Sequence, residues 1–239
     1  MKYIIASVLA GALAFNASAD DKVIVPDSTG FKFTDVKVVK TTPIRDQNQS
    51  GTCWCFSTNS FLEEEMMRKG GKPVDLSEMY IVRQCYLDKA RKYVRMDGKV
   101  NFAQGGAAHD VPYVIEMYGA LPEEAYPGLN YGEEKHVHGE LSAVLESYLD
   151  AVIKMPDRRL STAWEKGFNA ILDAYFGEVP ETFEYEGKTY TPKSFAESLN
   201  VKPEDYIEVT SFTHHPFYKP FALEVADNWL WGTMQNVPL

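Results

Sequence analysis

A tight turn feeding directly into an uninterrupted helix-forming run constrains this chain more than any other stretch. Gln47-Asn48-Gln49-Ser50-Gly51 supplies turn chemistry, and no glycine or proline follows between Cys53 and Arg68. Lys69-Gly70-Gly71-Lys72-Pro73 then stops the run, so a helix is predicted over Cys53–Arg68. Cys53 falls in its first turn, where unpaired N–H groups and a partial positive charge favour thiolate over thiol. A thiol placed there can act as a nucleophile. Gln47 lies six positions upstream, and its amide, folded back, would lie beside the Cys53 N–H. Two such donors can hold a developing oxyanion. Glu63, Glu64 and Glu65 fan around the same helix and read as a solvated face.

Composition narrows the class. The chain has 239 residues, 45% of them hydrophobic and 13% aromatic, enough for a sizeable core in one or two domains. A formal charge of −10, with no basic stripe, argues against a nucleic-acid partner. Met1 and Lys2 precede an apolar run too short to span a membrane, followed by Ala17-Ser18-Ala19. Residues 1–19 therefore read as a signal peptide, and the mature chain from residue 20 as periplasmic or secreted, with no stable membrane anchor. Of the three cysteines, Cys55 reads as a small buried hydrophobe and Cys85 as packed on the next helix, pairing between them staying open.

Further along, 140–154 and 161–176 read as amphipathic helices, with Leu141, Val144, Leu145, Tyr148, Leu149 and Val152 at helical spacing. Thr182 to Tyr190 alternates around a turn and reads as a hairpin. Pro192 sits in the first turn of another helix, and 204–212 reads as a strand. His109 starts a helix after Gly105-Gly106. His136 and His138 read as a solvated loop, since further metal ligands are missing. His214 and His215 precede Asn228-Trp229, an order that imitates a Cys, His, Asn set, but Pro216 and Pro220 interrupt the strand such a histidine would need.

Gln47, Gly51, Thr52, Cys53, Trp54 and Phe56 together resemble the fingerprint of the papain-like cysteine peptidases. Leu76-Ser77-Glu78 resembles the helix start that follows the nucleophile helix in that family, and Gln104-Gly105-Gly106 its Gly-Gly turn. The resemblance implies an α+β papain-like fold, a helical half with a central nucleophile helix plus a β half. It implies Cys53 as nucleophile, Gln47 as oxyanion donor, and Gly105 and Gly106 as substrate-binding residues for a peptide or protein. Trp54 and Phe56 are expected to anchor the helix. No cofactor and no metal are expected. Ser50 stands where the papain and cathepsin branch carries a cysteine, which is similar to the bleomycin hydrolase and aminopeptidase C branch. Residues 140–205 resemble a helical and hairpin insertion of that branch, whose members can form homo-oligomers.

The family's histidine and Asn-Ser-Trp-Gly motifs do not occur intact. On the resemblance, 20–239 is expected to be a peptidase domain that stops before them, near the start of a helix at Asn236, and to be inactive alone. The other reading is a truncated paralogue that binds peptides without cleaving them.

Overall fold

The computed structural model describes residues 30, 33–155 and 159–239. The expected signal peptide lies outside them. The chain divides into a unit Met1–Val38, whose described residues carry no helix or strand, and a unit Val39–Leu239 that holds every element below.

Helix α1 spans Cys53–Arg68, as its uninterrupted sequence predicts. Helix α2, Glu78–Arg95, begins where the Ser77 hydroxyl accepts the Tyr80 N–H at 3.0 Å, satisfying one of the four unpaired donors of a helix start. It is buried nearly all round and packs against α1, α3 (Asp110–Tyr118), α4 (Gly139–Ile153) and α5 (Ala163–Phe176). The helices of the expected insertion therefore share one core with α2, in which Leu141, Leu145, Leu149, Phe168 and Leu172 are fully enclosed. Val144 lies on the exposed side of α4 despite its helical spacing.

The hairpin β1 (Phe183–Tyr185) and β2 (Lys188–Tyr190) pairs antiparallel, and α6 (Pro192–Ser198) follows behind a capping box formed by Thr191 and Ser194. The predicted strand over 204–212 contracts to β3, Val209–Thr210, because Pro203–Asp205 forms a turn of 3₁₀ helix instead. A small sheet of order β3, β5, β4 closes the chain, with β4 at Pro220–Ala222 and β5 at Thr233–Asn236. Strand β5 lies parallel to β3 and antiparallel to β4, so Asn236 ends a strand rather than starting a helix. Pro220 is tolerated as the first residue of an edge strand.

Two surface expectations are corrected. Glu63 is buried, and its Oε1 accepts the Leu76 N–H at 2.8 Å, closing the connection between α1 and α2. Burial raises its carboxyl above the usual range. His136 and His138 are also buried, beside Phe56 and Phe176. Burial lowers His138 to about 4 and keeps its ring neutral.

Candidate active site

The main chain of 136–138 pairs with Gln49: the Gln49 N–H donates to the His136 carbonyl at 2.9 Å, and the His138 N–H to the Gln49 carbonyl at 3.1 Å. This pairing fixes the segment that runs into the Cys53 turn. Within the turn, the Ser50 hydroxyl donates to the Gln47 carbonyl at 2.8 Å and lies 2.6 Å from the Thr52 hydroxyl. Gln47 folds back as the sequence suggests, its amide donating to the Ser50 carbonyl at 2.5 Å.

At the end of that turn Cys53 is exposed as a free thiol, while Cys55, two positions on, is fully buried and free. Cys85 is likewise buried and free, so the cysteines form no disulfide. Burial pushes the Cys55 and Cys85 thiols far up, leaving both as protonated hydrophobes. The first intrahelical bonds of α1 run from the N–H groups of Cys55 and Phe56 to the Thr52 carbonyl. The N–H of Cys53 has no hydrogen-bond partner among the described residues and remains available as a donor.

The Gly105-Gly106 turn is held against the same helix start. The Gly51 N–H donates to Gln104 Oε1 at 2.6 Å, and the Trp54 indole N–H donates to the Gln104 carbonyl at 3.0 Å. A side chain on Gly106 would strike the Trp54 ring and the Asp110 carboxylate; one on Gly105 would strike Asp227. Glycine is thus required here by close packing. The N–H and C=O of Gly106 have no partner among the described residues, so they can pair with an added extended backbone.

The histidines lie elsewhere. His109 Nδ1 is 2.7 Å from Glu208 Oε2, which raises its pKa against the lowering effect of burial. Asn228 is buried and bonds the Leu223 and Gly232 carbonyls and the Gly232 N–H, not His214 or His215. His215 stacks on Phe221 and packs at a tilt against His214, which meets Phe212 edge to face. The apparent Cys, His, Asn order is therefore not a triad, and none of the five histidines bonds Cys53. Among the described residues no His, Cys, Asp and Glu group is placed to hold a metal ion. A groove of about 560 Å³ runs between Phe61, Pro112, Tyr206 and Leu230, but Cys53 is not among its walls. Sequence reading missed Lys89, whose ammonium bonds the Gly105 carbonyl; a lysine within a helix carries no signal that it is buried.

Residues 28–162 match the model of the papain family of cysteine proteases. Procathepsin L of Felis catus is 30% identical over 162 residues, 66% of this chain and 45% of that protein. Human cathepsin L2 is 40% identical over 86 residues, 36% of this chain and 23% of that protein. The solved structure of PepW from Lactobacillus rhamnosis HN001 superposes with a TM-score of 0.66 at 18% identity, covering 84% of this chain and 55% of that one. The chain thus spans about half, or less, of the length of these relatives. Its fold is the papain-like α+β fold, and with the family model matched over more than half of its residues, the chain belongs to the papain family of cysteine proteases.

Proposed function

We propose that this chain carries the nucleophile half of a peptidase site, in which the Cys53 thiolate attacks a peptide carbonyl, the C–N bond breaks and the amine leaves with a proton from solvent, and water hydrolyses the resulting thioester to the acid and the free thiol. The observation that carries this reading is the exposed Cys53 thiol at the start of α1, its N–H without a partner among the described residues, with Gln104 of the glycine turn bonded to Gly51 and Trp54 on either side of it. The Cys53 N–H and the Gln47 amide would hold the oxyanion, the amide turning away from the Ser50 carbonyl when substrate arrives. Gly106 would align the substrate backbone, with Gly105 shaping the turn.

The finer assignment is to the bleomycin hydrolase and aminopeptidase C branch, acting on free N-termini after export. It is supported by Ser50 in place of a cysteine and by the helical and hairpin elements that follow α3. Hydrolysis of aminoacyl amides and their N-acetylated counterparts tests it: a strong preference for the free amine supports an aminopeptidase, and equal rates count against one. A peptide-binding module without turnover is the second reading, favoured because no described histidine bonds Cys53 to serve as general base. Peptide binding with no hydrolysis, unchanged in Cys53→Ala, would favour it.

A further inference from the structure

Lys89 is the least expected feature near the site. It sits on α2 and is only 3% exposed, and a buried ammonium is costly unless its donors are used. Among the described residues no carboxylate bonds it. Its Nζ donates to the Ala103 carbonyl at 3.1 Å and to the Gly105 carbonyl, both belonging to the glycine turn. The rings of Trp54, Tyr86 and Trp229 surround the same ammonium, their centroids 5.9, 5.7 and 5.9 Å away. Burial lowers the Lys89 pKa, and Asp110 beside Gly106 and Asp227 beside Gly105 oppose that lowering from farther off.

We infer that Lys89 is a positioning residue for peptide binding: it draws the Ala103 and Gly105 carbonyls inward and so leaves the Gly106 N–H and C=O facing outward beside Cys53. The turn is then clamped on three sides. Lys89 holds it from α2, the Trp54 indole from α1, and Asp227 covers Gly105. The Asp227 segment is itself anchored, since the Trp229 indole N–H donates to Asp110 Oδ2 at 2.7 Å and Lys92 donates to the Trp229 carbonyl. Removing the ammonium leaves the Ala103 and Gly105 carbonyls without this donor and so costs stability whether or not the turn serves a substrate, which means stability is not the readout that distinguishes this role. Registration of the peptide backbone against Cys53 is.

This assignment rests on the proposed peptidase site, and one experiment separates the two. The rate of Cys53 alkylation is measured with iodoacetamide, which needs no backbone pairing, and with a peptidyl chloromethyl ketone, which does. In the unsubstituted protein the peptidyl reagent is expected to saturate and to be strongly preferred. Lys89→Met is expected to lower that preference by about tenfold or more through a weaker saturation constant, with the iodoacetamide rate unchanged. Lys89→Arg, which restores donors, should recover part of the loss. If Lys89→Met does not fold, Lys89→Gln is used, being too short to reach both carbonyls, with a loss of at least about threefold expected. A folded Met or Gln variant with the original preference overturns the role of Lys89. Absence of any preference in the unsubstituted protein overturns the peptidase site itself, and this inference with it.

Discussion

The indole N–H of Trp54 donates to the carbonyl of Gln104 at 3.0 Å, tying the residue next to the nucleophile to the turn expected to hold substrate. With the Gly51 and Lys89 bonds to the same turn, it sets the spacing between the nucleophile and the glycine turn. Trp54→Phe keeps the aromatic packing and removes the donor. The expected cost is about 1 kcal/mol of stability, because one hydrogen bond is lost and a carbonyl is left unpaired. Chemical denaturation measures it, and an unchanged midpoint would show that the bond contributes nothing.

The three thiols should separate cleanly. Cys53 is exposed, whereas Cys55 and Cys85 are 0% exposed and held protonated by burial. Iodoacetamide under native conditions is expected to modify Cys53 at least about 100-fold faster, since the other two need local opening of the core. Peptide mapping by mass spectrometry reads the ratio, and comparable labelling of Cys55 would contradict the packing described.

Adjacent glycines should respond differently. A methyl on Gly106 meets the Trp54 ring and Asp110 within the core, while the atoms nearest to one on Gly105 belong to the carboxylate of the exposed Asp227. Gly106→Ala is expected to cost about 1–3 kcal/mol, as overpacking does, and Gly105→Ala distinctly less. Thermal melts of the two variants give the order.

Burial pushes the Glu78 carboxyl to about 8 from an ordinary 4.5, with Glu123, Glu63 and Asp75 adding repulsion. The folded state favours the neutral acid. Its contribution to stability is therefore fully present below about pH 4.5 and is lost as pH rises through about 8. Glu123, raised to about 7 chiefly by burial, acts in the same direction. Between pH 5 and pH 9 Glu78→Gln should lose less stability than the unsubstituted protein, by on the order of a few kcal/mol. Urea unfolding at both pH values checks this, and parallel losses would refute it.

Much of this was legible because it is local. The glycine and proline stop marked the end of α1 and Pro192 the first turn of α6, since such signals lie within one turn, while the start of α2 was found through the resemblance of Leu76-Ser77-Glu78. The Cys53 turn and the Gly105-Gly106 turn were found by motif. What sequence could not show depends on distant partners. Glu63 is buried because the Leu76 N–H needs an acceptor, and Lys89 because two carbonyls of the glycine turn need a donor. His136 and His138 are drawn inward by pairing with Gln49, far away in sequence. Strand β3 is short because its parallel partner β5 meets it only at Val209 and Thr210.

The central claim is that Cys53 is an acyl-accepting nucleophile. An activated peptidyl ester tests it most directly, because a good leaving group removes the need for a general acid. The protein is mixed with the ester, quenched in acid and mapped by mass spectrometry. The expected product is a thioester on Cys53 that hydroxylamine removes and that Cys53→Ala lacks. No acyl group on Cys53, or the same acylation after Cys53→Ala, would contradict it.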